Sequence, residues 1–191
     1  MEADPDAELM LRLKNGEDLI LNELMGRWQE PLVGFIYRYI GHETDALDLA
    51  QETFARVYEN RHRYVIRGKF STWLFTIAAN LCRNYLRWRQ RRSESPLTTP
   101  SGEETEAAQS AKSVDDSPDE AAMRSEAVVL VRAAIDKLPH DLKMVILLFE
   151  YESFSYAEIS SVLGCSVKAA EMKLYRARQF LREKLLRGEF R

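Results

Sequence analysis

The chain is poor in the residues from which metal centres and stapled scaffolds are built. Only two cysteines occur, Cys82 and Cys165, far apart and with no CxxC or paired-histidine spacing beside them. That argues against a disulfide framework or a zinc site and suits a reducing compartment. The three histidines, His42, His62 and His140, are scattered and match no catalytic or ligand pattern. No cofactor is expected. Long apolar runs are absent too, since the longest, Met144 to Phe149, is far short of the roughly 20 residues that span a bilayer. The N-terminus is acidic (Glu2, Asp4, Asp6) and lacks the basic-then-apolar layout of a signal peptide. The reading is a cytoplasmic protein without membrane insertion. No segment alternates with period two, so nothing argues for a sheet. The expected fold class is all-α.

What the chain does have is charge laid out in blocks. A net charge of −3 over 191 residues would speak weakly against nucleic acid if it were evenly spread. It is not. Between Phe54 and Arg92 stand ten basic residues and one acid, Glu59. From Ser93 to Glu126 the balance inverts, with nine acids opposed only by Lys112 and Arg124. From Ser155 to Arg191 there are eight basic residues and four acids. The pattern suggests two anion-binding modules joined by an acidic connector.

The C-terminal third gives the sharpest local reading. Ser155-Tyr156-Ala157-Glu158 is a capping box, and Tyr156, Ile159, Val162 and Leu163 follow at helical spacing. Gly164 fits the left-handed position that ends a helix, and Ser166 caps the next. That next helix carries Val167, Ala170, Leu174, Ala177, Leu181 and Leu185 inward. Lys168, Glu171, Met172, Tyr175, Arg176 and Gln179 face outward. Two helices joined by a tight glycine turn, the second long and polar on its free face, read as a helix-turn-helix sized for a major groove. An αα-hairpin that only packs is the bland alternative.

Earlier in the chain, Asp4-Pro5 looks like an N-cap with proline at the first helical position, and Gly16 closes that short helix. A longer helix is predicted from about Glu17 to Ile40, bent or broken at Pro31, with Gly41 ending it and Thr44 restarting the next. Asp45, Asp48, Gln51 and Glu52 form an acidic patch on the helix from Asp45 to Asn60. Asn60 to Lys69 reads as a loop. Ser71 or Thr72 then caps a helix through Arg92, on which Asn80, Arg83, Asn84, Arg87 and Arg91 recur three or four residues apart. Ser93 to Ser117 holds almost no large apolar residues and reads as a flexible linker. Ser117-Pro118 starts a helix to about Lys137, Leu138-Pro139 breaks it, and Val145 to Phe149 lie in a core helix. The domains are thus 1–92, a linker over 93–120, and 121–191.

Around the loop, Tyr64, Phe70, Trp73 and Phe75 lie beside Arg63, Arg67, Lys69 and the asparagine–arginine ridge. Rings offer stacking of roughly 1–3 kcal/mol per base and cations hold phosphate, which is what single-stranded DNA requires. Trp73 itself reads more readily as core, and a solvated arginine face is the alternative for the ridge. One module suited to single strands and one suited to duplex, on a tether, point to a transcription initiation factor.

The residues now carry a specific resemblance. Asp45-Ala46-Leu47-Asp48-Leu49-Ala50-Gln51-Glu52-Thr53-Phe54, with Phe70-Ser71-Thr72-Trp73-Leu74-Phe75-Thr76-Ile77-Ala78-Ala79-Asn80, resembles region two of bacterial RNA polymerase sigma factors. Leu138-Pro139, Tyr156-Ala157-Glu158-Ile159, Leu163-Gly164-Cys165-Ser166 and Tyr175-Arg176-Ala177-Arg178 resemble region four of the extracytoplasmic-function group, which keeps only these two regions. The resemblance implies a promoter-specificity subunit that is not itself an enzyme. It implies that Asp45, Asp48, Gln51 and Glu52 dock on the clamp helices of the polymerase's largest subunit, with region four on the flap of the second-largest. It implies minus-ten contacts from Arg63, Tyr64, Arg67, Lys69, Trp73, Asn80, Arg83, Asn84 and Arg87, with the loop holding a flipped base. It implies minus-thirty-five contacts from Ser166, Lys168, Glu171, Met172, Lys173, Tyr175 and Arg176, where Glu171 either accepts from a cytosine amino group or repels phosphate. Promoter DNA, duplex and single-stranded, core RNA polymerase and an anti-sigma factor are the implied partners. The main competitor is a stand-alone helix-turn-helix regulator, which has no use for the acidic patch. A catalytic helical domain would need carboxylates or histidines at metal spacing, and a pure interaction protein would not need two basic faces.

Overall fold

The computed structural model describes residues 4–93 and 128–187, and every regular element among them is helical. The helices are α1 (Pro5–Lys14), α2 (Ile20–Ile40), α3 (Glu43–Glu59), α4 (Phe70–Ser93), α5 over residues 128–136, α6 (His140–Glu150), α7 (Tyr156–Leu163) and α8 (Val167–Arg187). A single 3-10 turn, Arg61–Arg63, follows α3. The expected linker and the Ser117-Pro118 helix start lie outside the described residues.

Local chemistry sets most helix ends. Asp4 caps α1, its carboxylate accepting from the Asp6 amide at 3.1 Å, with Pro5 next in line. Gly41 ends α2 with a φ of 76° that side-chain-bearing residues rarely adopt. The next helix begins at Glu43, two residues before the expected Asp45, with the His42 ring as its cap accepting from the Asp45 amide. Pro31 does not break α2, which runs on to Ile40. The lost hydrogen bond costs about 3 kcal/mol, and burial of Leu32, Phe35, Ile36, Tyr39 and Ile40 beyond the proline offsets it.

Helix α4 is started from a distance. Its first amide, that of Phe70, donates to the Asp4 carboxylate at 2.6 Å, so the expected cap at Ser71 or Thr72 is supplied from 66 residues upstream. Ser71 is buried instead. Helices α2, α3 and α4 pack on one another, and α1 lies across α2 and α4. Asp6 anchors α1, accepting from Arg27 at 2.8 Å and from the Trp28 ring nitrogen at 2.9 Å.

The C-terminal helix ends form as the sequence implies, but of the expected inward stripe of α8 Ala170, Leu174 and Ala177 are buried while Val167 and Leu185, near its two ends, are exposed. Ser155 and Glu158 exchange both capping-box bonds, Gly164 takes a φ of 65°, and the Ser166 hydroxyl accepts from the Ala169 amide. Losing one such cap costs about 1 kcal/mol. Ser155→Ala is accordingly expected to lower the thermal midpoint by a few degrees in a calorimetric scan.

The two halves share one core. Phe75 of α4 meets Phe154, in the turn before α7, edge-on with ring centres 5.2 Å apart. Helix α7 packs along α4 and α6 against α2. Arg83 donates to the Val162 carbonyl, Lys69 pairs with Glu158 at 2.9 Å, and Arg38 lies 3.7 Å from Glu152. No helix among the described residues is long and apolar enough to cross a membrane.

Candidate nucleic-acid interface

A groove of about 350 Å³ opens between the end of α3, the 3-10 turn and α4. Arg56, Asn60, Arg63, Trp73, Ile77, Asn80, Leu81 and Asn84 line it. Its size is at the lower end of the range for ligand clefts, about 300–1,000 Å³. Of the expected minus-ten residues, Arg63, Asn80 and Asn84 face this groove and are exposed, and Arg87 lies a turn further along the same helix. Arg67 and Lys69 are exposed on the loop itself. Arg56 and Ile77 were not among the expected contacts, and Asn60 entered only as the start of the loop, because the groove forms only when the end of α3 meets α4. A hint exists in the spacing of Arg56 and Asn60, one helical turn apart.

Four expected contacts are wholly or partly engaged within the protein. Tyr64 is a buried ring, only 3% exposed, packed 5.0 Å from Trp73 and 6.4 Å from Phe70. Burial pushes its hydroxyl up to about 12. It floors the loop and offers no face to a base. Trp73 is half-buried, its ring shared between this aromatic cluster and the groove. Arg83 is half-buried and already engaged, donating to Asn80 at 3.0 Å as well as to Val162. Lys69 is likewise held by Glu158. Burial alone would raise that carboxyl, but its bonds to Ser155 and Lys69 outweigh this and hold it below the usual range.

On α3, Asp48, Gln51 and Glu52 are exposed beside Leu47. Asp45 is different. It accepts a very short bond from the Tyr85 hydroxyl and sits 3.0 Å from the His42 ring, so it ties α3 to α4. Burial, and then this bond, lifts the Tyr85 hydroxyl to about 12.

On α8 the outward residues Lys168, Glu171, Met172, Tyr175 and Arg176 are all exposed, Tyr175 at 64%. Ala170, Leu174 and Ala177 are buried beneath them. Lys173 does not join this face. Its ammonium donates to Asp141 of α6 at 2.6 Å, and that bond, against the opposing effect of burial, holds the Asp141 carboxyl below its ordinary value. Arg178 ties the middle of α8 to the other end of α6, bonded to Glu150 at 2.8 Å and lying over the Phe149 ring. The Ser166 hydroxyl serves as the helix cap. Five of the expected minus-thirty-five residues therefore form a narrow exposed strip on a helix fixed to α6 at two points.

An all-helical pair of modules, one with a cation- and amide-lined groove and the other a helix-turn-helix with a free face, defines a DNA-binding transcription protein. Comparison with known proteins makes this specific. The sigma-70 region 2 model matches residues 24–92 and the sigma-70 region 4 model matches residues 129–181. The RNA polymerase sigma-H factor of Pseudomonas aeruginosa is 32% identical over 92% of this chain and 91% of its own. The ECF RNA polymerase sigma-E factor of Haemophilus influenzae is 30% identical over 94% of this chain and 95% of its own. Among solved structures, CnrH in complex with the cytosolic domain of CnrY is 26% identical, with a TM-score of 0.69 over 95% of this chain and 97% of that one. The chain belongs to the extracytoplasmic-function group of RNA polymerase sigma factors.

Proposed function

We propose that this sigma factor docks on core polymerase through Asp48, Gln51 and Glu52 of α3, with region four seated on the flap of the second-largest subunit. The α3–α4 groove takes a base from the opened non-template strand of the minus-ten element. Arg63, Arg67, Lys69 and Arg87 hold its phosphates, and Asn80 and Asn84 meet base edges. Lys168, Glu171, Met172, Tyr175 and Arg176 read the minus-thirty-five duplex from the major groove. The protein works by binding alone, without catalysis, and acts in the cytoplasm. The observation that carries this reading is the groove itself, flanked by exposed cations and amides on the module that opened DNA would meet. CnrH is held by a second protein in its solved complex, which supports an anti-sigma partner here as well.

Run-off transcription with purified core polymerase on fragmented source DNA tests the reading. Discrete transcripts that require this protein are expected. Specific duplex binding by the protein alone, without transcripts, would establish a stand-alone regulator instead. Within region four, Arg176→Ala should weaken minus-thirty-five binding by about 1–3 kcal/mol, or roughly 5- to 150-fold. Lys173→Ala should cost less, because that ammonium is already bonded to Asp141. Equal losses from the two substitutions in a fluorescence anisotropy titration would contradict the strip defined here.

A further inference from the structure

The loop from Tyr64 to Phe70 has no regular structure of its own, yet both its ends are held by the same helix. Lys14, the last residue of α1, donates its ammonium to the Tyr64 carbonyl at 2.8 Å. Asp4, the cap of α1, accepts from the Phe70 amide at 2.6 Å. Ten residues of helix separate these two anchors by about 15 Å, so α1 acts as a brace spanning the loop's base. Between the anchors Val65, Ile66, Arg67, Gly68 and Lys69 are all exposed, and Gly68 takes a φ of 148°.

The brace is itself rigid. Leu9, Met10 and Leu13 are buried in the core, and Asp6 is tied to Arg27 and Trp28 on α2. The Asp4 carboxylate also divides its work, with one oxygen on the Asp6 amide and the other on the Phe70 amide. Nothing in the aromatic cluster requires either polar contact. Both bond the loop's backbone and neither fills space in the core.

We infer that α1 is a positioning element for minus-ten recognition, with Asp4 and Lys14 pre-setting the loop that receives the opened strand. This rests on the proposed role of the loop and assigns a task to a helix outside both family-model matches. A loop held at both ends loses less freedom when it closes on a base, so its affinity for single strands is higher than that of the same residues on an untethered loop. Neither Asp4 nor Lys14 touches DNA in this arrangement.

The experiment uses the full chain bound to core polymerase, with a fluorescent non-template oligonucleotide from a promoter that the run-off assay has identified. Lys14→Met and Asp4→Asn are compared with wild type, since asparagine has one acceptor oxygen and cannot serve both amides. Each is expected to weaken single-strand binding about five- to tenfold. Binding of a minus-thirty-five duplex probe and of core polymerase should stay within about twofold of wild type. Lys14→Arg, which keeps a cationic donor, should restore single-strand binding. Hydrogen exchange at the amides of residues 65–69 should quicken in the two weakened variants. Arg67→Ala serves as the control for the loop's own role. If it weakens binding while Lys14→Met and Asp4→Asn do not, or if exchange in the loop is unchanged, the brace has no such task. Equal loss of duplex and single-strand binding would mark a structural helix only and overturn the inference. If Arg67→Ala leaves single-strand binding intact, the loop does not read the strand and the proposed minus-ten reading fails first.

Discussion

Reversing the charge at Asp48 and Glu52 to lysine is expected to abolish run-off transcription while the protein stays folded. Both carboxylates are exposed on α3, with the apolar Leu47 next to them at 41% exposure. Among the described residues the internal contact at risk is the Glu52–Arg56 pair, an exposed ion pair one helical turn apart at 2.7 Å. Such pairs contribute a few tenths of a kcal/mol, so folding has little to lose. Docking has much more. Removing one member of a desolvated interfacial charge pair costs about 2–5 kcal/mol, and reversal adds repulsion. Two reversals should therefore lower occupancy of core polymerase by at least about 100-fold. Asp45 belongs to a separate experiment, because its bond from Tyr85 means that Asp45→Lys damages the α3–α4 packing as well. Co-purification with core polymerase and run-off yield, measured on the same double variant, check the result. Wild-type yield would remove α3 from the docking surface.

The contrast between Asp45 and Asp48 shows where a sequence stops being legible. Helix ends made by near neighbours could be read directly. Asp4-Pro5, the Ser155–Glu158 box, Gly164 and Ser166 all sit where their local chemistry puts them. Ends made at a distance could not, since nothing near Phe70 announces that Asp4 will receive its amide. The same holds at the site. Three-and-four spacing identified the exposed ridge of Asn80, Asn84 and Arg87, because spacing fixes which side chains share a helix face. It could not say which member of a face meets another element. Lys173, which the resemblance implied as a recognition residue although the outward face did not include it, is taken by Asp141, while Tyr64 looks like a stacking ring and is sealed beneath Trp73. Arg56 and Asn60, hinted at by their one-turn spacing, could not be assigned to this groove for the converse reason, as it belongs to no single helix.

Glu152 should make the packing of the two modules depend on pH. Arg83 touches the Val162 carbonyl, and α8 begins five residues later, within about 18 Å of chain. The minus-ten and minus-thirty-five elements are about 25 base pairs apart, roughly 85 Å of duplex. One packed molecule cannot reach both, so the function proposed here requires the modules to part. Residues 94–127 supply a contour of up to about 110 Å, enough to allow it. Parting also frees Lys69 and Arg83, which the packed form spends on Glu158 and Val162. Glu152, in the turn before α7, faces α2 in that packed form, with its side chain 9% exposed. Arg38 is the charged group facing it, at 3.7 Å, and its guanidinium is shared with the Tyr151 ring. Burial pushes the Glu152 carboxyl up to about 7 and Arg38 only partly opposes this. Once the modules part, the carboxyl returns toward its ordinary value of 4.5. The packed form thus binds the proton more tightly. The stability that Glu152 contributes is fully present below about pH 4.5, declines as pH rises toward 7, and is gone above that. The change over this window is on the order of 3 kcal/mol, or about 100-fold in the packed-to-open ratio. Energy transfer between dyes on α3 and α8, in a chain with Cys165→Ser, should therefore fall as pH is raised from 5 to 8. Glu152→Gln, which keeps a neutral side chain of the same shape, should hold transfer high across the range. A wild-type profile without a slope, or a slope that survives in Glu152→Gln, would remove Glu152 from control of the opening.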